Sequence, residues 1–130
     1  MGRSSQILVA IIDDDESLCR ALGRLLGVAG MRSASYPSAE AFLADRARFR
    51  FHCLVVDIQL GGMSGIELNQ MLAAAGSHTP VIFNTAHDRP EIRDLAQRSG
   101  CAAYLRKCES GTTILAAITN ATRLATERRT

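Results

Sequence analysis

Residues 53–68 read CLVVDIQLGGMSGIEL. Cys53 to Val56 form an apolar run with no polar residue on either face. Such a run fits a strand covered by helices on both sides, as in a parallel sheet. It stops at Asp57. The loop that follows carries Gly61-Gly62, and Ser64 and Glu67 then stand as a capping box, S-x-x-E, ahead of a helix with Met71, Leu72 and Ala75. One buried strand, one acid at its C-terminal end and one capped helix make a single strand–helix unit.

The same unit recurs outward in both directions. Ile7 to Ile12, Val81 to Phe83 and Cys101 to Leu105 are further apolar runs, ending in Asp13-Asp14, Asn84-Thr85 and Arg106-Lys107. Met31 to Tyr36 alternates and is less apolar, which predicts a weaker strand at an edge. Leu18, Leu22, Leu25, Leu26 and Ala29 fall on one helical face. Ser38 after Pro37 is placed to cap a short helix carrying Phe42 and Leu43. Asp88 and Glu91 stand in capping-box relation before Ile92, Leu95 and Ala96, with Gly100 as the stop. Ile114, Ile118 and Ala121 mark a last helix. Five strand–helix units at this spacing predict an α/β fold with right-handed crossovers and a doubly wound sheet. The 130 residues suit a single domain, 1–130, with its core over about 7–125.

Bulk properties narrow the function. Hydrophobic residues make up 47%, enough for a sizeable core, and the net charge is only +2. That charge does not argue for direct nucleic acid or membrane binding, and Arg128-Arg129 reads as a solvated tail. No stretch approaches the roughly 18 apolar residues of a membrane span. Met1 to Gln6 is polar and carries no signal-peptide pattern. Cys19, Cys53, Cys101 and Cys108 are scattered, with no CxxC pair, which fits a reduced, cytoplasmic setting.

Polar residues collect at the C-terminal ends of four strands: Asp13 and Asp14, Asp57, Thr85, and Lys107. In an open α/β sheet these ends converge on one crevice. Three neighbouring carboxylates repel unless a cation neutralises them, and an all-oxygen set favours Mg²⁺. A carboxylate is also a nucleophile toward phosphorus. Phosphoryl transfer then needs positive charge, from Mg²⁺ and a lysine, and a hydroxyl donor. Taken singly the residues have plainer readings. Acids after a strand cap helices, Asp15 and Glu16 suit a helix start, a lone lysine is solvated, and His87 has no second His or Cys spaced for zinc.

On the segments IIDDDESL (11–18), LVVDIQLGGMSGIEL (54–68), PVIFNTAHD (80–88) and AAYLRK (102–107), the chain resembles the receiver domains of two-component response regulators. YPSAEAFL (36–43) and TAHD (85–88) resemble the subgroup fused to helix-turn-helix DNA-binding outputs. The resemblance implies a flavodoxin-like (βα)5 fold with strand order 2-1-3-4-5. It implies Asp57 as phospho-acceptor, and Asp14, Asp13, Asp57 and the backbone carbonyl of Gln59 as the Mg²⁺ set. Thr85 and Lys107 are then the phosphoryl-binding pair, Tyr104 is the aromatic partner of Thr85 in the switch, and Gln59 and His87 tune the rate of phosphoryl loss. It implies a sensor histidine kinase as donor, a signalling role rather than an enzyme's, and a possible homodimer through the fourth helix, fifth strand and fifth helix.

Two positions depart from the family pattern. Cys108 follows Lys107 where proline is usual, so the Lys107–Cys108 bond is either trans with a shifted loop or cis and strained. Gly61 replaces a common proline, which predicts a looser loop. Three other readings compete. A pseudo-receiver would work as an interaction module without phosphorylation. A Mg²⁺-dependent phosphatase resembling the haloacid dehalogenases would want Asp where Gln59 stands. A flavin-binding module would want a phosphate loop where Asp13 and Asp14 stand.

Overall fold

The structure is a computed structural model that describes residues 6–129, with the side chains of 126–129 left undescribed. Residues 1–5 and the side chains of Arg128-Arg129 therefore lie outside the described residues, and with them the readings of the N-terminal segment and the basic tail. Five strands and five helices alternate: β1 (Leu8–Ile12), α1 (Glu16–Val28), β2 (Arg32–Tyr36), α2 (Ala39–Ala44), β3 (Cys53–Val56), α3 (Gly65–Ala74), β4 (Val81–Thr85), α4 (Pro90–Arg98), β5 (Ala103–Arg106) and α5 (Gly111–Arg129). A 3-10 turn, Arg48–Arg50, precedes β3. The strands are all parallel, in the order β2-β1-β3-β4-β5. The weakly apolar Met31–Tyr36 segment is an edge strand, as its alternation predicts.

Burial on both sheet faces divides the core in two. On one face Ala10, Ile12, Leu54, Val56, Val81 and Phe83 pack with α2, α3 and α4 through Phe42, Ile66, Leu68 and Ala96. On the other, Val9, Ile11, Cys53, Val55, Ile82 and Leu105 pack with α1 and α5 through Cys19, Leu22, Leu26, Ile114 and Ile118. Successive residues of a strand enter opposite cores, as the two-residue period of the pleat requires. The apolar runs were unbroken in sequence for this reason. Among the described residues no helix is long and apolar enough to cross a membrane.

Several helix details differ from the sequence reading. On α1 the buried stripe is Cys19, Leu22 and Leu26, whereas Ala29 is the exposed C-cap. On α3 it is Ile66, Leu68 and Asn69, with Met71 and Ala75 exposed. Leu95 of α4 is exposed and Ala96 buried. The fifth strand begins at Ala103, two residues after Cys101, because Gly100 has φ +84 and turns the chain first. Ser38 and Ser64 do cap their helices, Ser64 in a complete capping box with Glu67. Asp88 does not cap α4. Pro90 occupies the first turn, so Arg89 is the N-cap and makes no side-chain bond there. Proline lacks an N–H and has a fixed φ, so it sets where the helix starts. Asp88 is left outside the helix, with its carboxylate free to bond elsewhere.

Candidate phosphoryl-accepting site

The site lies at the C-terminal ends of β1, β3 and β5. Asp13 follows β1 and Asp57 follows β3, and both are buried. The Asp57 N–H donates to the Ile12 carbonyl at 2.9 Å, which holds the two strand ends level. Carboxylate oxygens of Asp13, Asp14 and Asp57 lie within 4.8 Å of one another; Asp14 is the exposed member. The Lys107 ammonium closes the group, with Nζ 2.9 Å from Asp13 Oδ2 and 3.1 Å from Asp57 Oδ2.

Local hydrogen bonds orient the two buried acids. Asp13 Oδ1 accepts the Asp15 N–H at 2.9 Å, and Asp57 Oδ1 accepts the Gln59 N–H at 3.2 Å. The second oxygen of each is left for Lys107. Asp57 has its pKa raised. Burial is the largest cause, the hydrogen bond from Lys107 opposes it, and the negative charge of Asp13 adds to it. Burial acts to lower the pKa of Lys107, but the hydrogen bonds and charges of Asp13 and Asp57 outweigh it, and the pKa is raised.

Lys107 reaches the acids without a proline behind it. Among the described residues no peptide bond is cis, so the Lys107–Cys108 bond is trans. The Lys107 N–H donates to the Thr85 carbonyl at 2.9 Å, continuing the β4–β5 register by one residue. The loop beyond is closed by Glu109, whose N–H donates to the Arg106 carbonyl and whose carboxylate accepts the Arg106 N–H, both at 3.0 Å.

The other sequence-derived residues are arranged around this centre. Thr85 is fully buried, and its Oγ1 accepts the His87 N–H at 3.2 Å. His87 itself is exposed, as is the Gln59 side chain. Tyr104 is half-buried on β5, and its hydroxyl donates to Asp88 Oδ1 at 3.2 Å. The structure thus brings Asp13, Asp14, Asp57 and Lys107 into direct proximity. Among the described residues no side-chain bond links Thr85 or Tyr104 to Asp13, Asp14 or Asp57.

Two supporting residues, Gly65 and Glu40, were not picked out from sequence, and a third, Asp88, was read only as a helix cap. Gly65 starts α3 under the site, where a Cβ would lie 2.4 Å from the Asp57 carbonyl and 3.0 Å from the Ile58 Cα. Only glycine permits that approach. Glu40 reaches over from α2 to accept the Met63 N–H at 2.8 Å, tying down the loop that carries Gly61-Gly62. Asp88 gathers Arg93, Tyr104 and Arg106. Gly65 had a signal, as the residue just after the Ser64 cap. Nothing in the sequence pointed Glu40 to Met63 or Asp88 to Arg93, Tyr104 and Arg106, because these partners are remote or fall outside any helical spacing.

A model of the response regulator receiver domain family matches residues 9–119. The chain belongs to that family. Among its relatives are the response regulator protein TmoT of Ectopseudomonas mendocina, 30% identical over 94% of this chain and 56% of that protein. Another is the transcriptional regulatory protein FixJ of Azorhizobium caulinodans, 34% identical over 85% of this chain and 52% of that protein. Of the solved structures, the response regulator StyR superposes with a TM-score of 0.86 at 36% identity, covering 96% of this chain and 63% of that one. FixJ-N superposes with a TM-score of 0.82 at 30% identity, covering 92% and 96%. The chain spans about half the length of the curated relatives it matches.

Proposed function

We propose that this receiver domain is a phospho-accepting switch with Asp57 as the acceptor. The observation that carries the reading is the pairing of a buried Asp57 carboxylate with the Lys107 ammonium at 3.1 Å, beside Asp13 and Asp14. The donor set is all oxygen and carries three negative charges against one lysine, which fits a hard divalent cation such as Mg²⁺. Asp13, Asp14 and Asp57 would hold it, with the Gln59 carbonyl as a further ligand. When bound, it neutralises charge on the carboxylates and on phosphoryl oxygens.

An Asp57 oxygen attacks the phosphorus of a phosphohistidine on a sensor histidine kinase. The O–P bond forms as the P–N bond breaks, and the imidazole leaves with its electron pair and takes up a proton. Lys107 neutralises the charge that the phosphoryl group brings. Thr85 supplies a hydroxyl donor, and its movement shifts the 84–88 loop, with Tyr104 following as the aromatic part of the switch. Gln59 and His87 flank the group and tune how fast water removes it. The face of α4, β5 and α5 then presents its second arrangement to a partner or to a second copy of the chain. Relatives of this chain include proteins named as transcriptional regulators, so where the chain is one part of a longer cytoplasmic regulator, the output we assign is a DNA-binding domain.

The test is incubation with acetyl phosphate and Mg²⁺, followed by intact-mass spectrometry. Wild type is expected to gain one phosphoryl group, with no gain when Mg²⁺ is chelated or when Asp57→Asn is used. A folded wild type that gains nothing from acetyl phosphate or from a phosphorylated kinase would instead point to an interaction module.

A further inference from the structure

Asn84 places a carboxamide near the end of β4, two residues after Ile82 of the α1–α5 core. It is 2% exposed, and among the described residues its buried Oδ1 has no hydrogen-bond partner. A buried amide oxygen left unpaired is unfavourable and uncommon in folded proteins.

The sheet register shows what stands beside it. Val56 pairs with Ile12 on one side and with Phe83 on the other. One residue further along each strand, Asp13, Asp57 and Asn84 form a row across β1, β3 and β4. Ile11, Val55 and Ile82, two residues earlier on each strand, all face the α1–α5 core, so the row shares that face. Asn84 also pairs with Leu105, two residues before Lys107. Lys107 starts beyond the end of β5, yet its Nζ lies at Asp57 and Asp13. Its side chain therefore passes over β4, where Asn84 lies.

Donors and acceptors in this row do not balance. A lysine ammonium has three N–H donors. One goes to Asp57 Oδ2, the ammonium also pairs with Asp13 Oδ2 at 2.9 Å, and among the described residues it has no further side-chain acceptor. Asn84 Oδ1 is an acceptor without a donor among the described residues.

We propose that Asn84 is a positioning residue for Lys107. When a phosphoryl group on Asp57 draws the ammonium away from the carboxylate, Asn84 Oδ1 accepts its spare N–H and holds Nζ against the phosphoryl oxygens. The inference rests on the phospho-acceptor reading and adds a residue to it. Asn84 then lengthens the life of the phosphorylated state through Lys107, without touching the phosphoryl group.

Beryllofluoride with Mg²⁺, a phosphoryl mimic, is the probe, titrated into the full chain by ¹⁹F NMR alongside thermal melts. Asn84→Leu keeps the volume and removes the acceptor. It is expected to raise the melting temperature, since an unpaired buried amide is gone, yet to weaken beryllofluoride binding about tenfold, the scale of one hydrogen bond to a charged group. A purely structural residue would give the first effect alone. In a Lys107→Ala background the same substitution is expected to cause no further loss. Asn84→Ala serves for the same comparison should leucine not pack. Unchanged binding in Asn84→Leu, or an equal loss without Lys107, overturns the proposal. A wild type that binds no beryllofluoride overturns the phospho-acceptor reading and this inference together.

Discussion

Asp57 carries its charge at a cost that the surroundings only partly relieve. Its pKa is raised above the ordinary 3.8, chiefly by burial, with the Lys107 hydrogen bond opposing and the Asp13 charge adding. An unfolded chain has neither burial nor Asp13 close by. Folding is therefore destabilised by ionised Asp57 above the raised pKa, and the penalty fades as pH falls through that value, to vanish below 3.8. Asparagine stands in for the neutral acid. Without divalent cations, Asp57→Asn is expected to melt above wild type at pH 7, with the gap closing on acidification. A calorimetric series in which the gap keeps its size down to pH 3.5 would contradict this account. Asp57 itself was legible in sequence, as an acid ending an apolar strand. Its neighbour Asn84 was not, because a polar residue at a strand end reads as a turn residue until the register sets it beside Asp57.

At the scale of elements, the β4–α4 loop, α4 and β5 meet at one carboxylate. Asp88, in the β4–α4 loop, accepts from Arg93 of α4 at 2.6 Å and from the Tyr104 hydroxyl of β5 at 3.2 Å, with Arg106 Nε at 3.9 Å. The Arg93 guanidinium also lies 5.6 Å above the Tyr104 ring. A loop, a helix and a strand are thus fastened together three residues after Thr85. A movement of that loop that displaces Asp88 breaks its bond with Tyr104. Asp88→Ala is expected to loosen the fastening and favour the second arrangement, tightening beryllofluoride binding by a factor of about two to five, the range of exposed charged pairs. Titration of the variant against wild type checks this, and equal or weaker binding would refute it. The sequence suggested a helix cap for Asp88. Pro90 moved the helix start one residue too far for that, and the tertiary partners of Asp88 then decided its role.

For the whole molecule, two cores clamp one sheet, and the site sits where the helices leave the strand ends uncovered. Ile118 of α5 is fully buried against the sheet in the core that also underlies Asp13, Asp57 and Asn84. Ile118→Ala is expected to cost about 2–5 kcal/mol, read as a lower urea midpoint with an unchanged slope. A shift of less than about 1 kcal/mol would mean that α5 does not close this core. By itself the sequence determined the strand–helix alternation, the edge strand, two of the helix caps and the acids at the strand ends. All of these are written in local patterning, with periods of two and 3.6 residues and short capping spacings. Only the tertiary structure decided that Lys107 reaches Asp13 and Asp57 from a trans bond, that Glu40 pins the glycine loop, and that Asn84 shares a row with the acids. Those contacts join residues dozens of positions apart, and their distances are set by sheet register and crossover rather than by spacing along the chain.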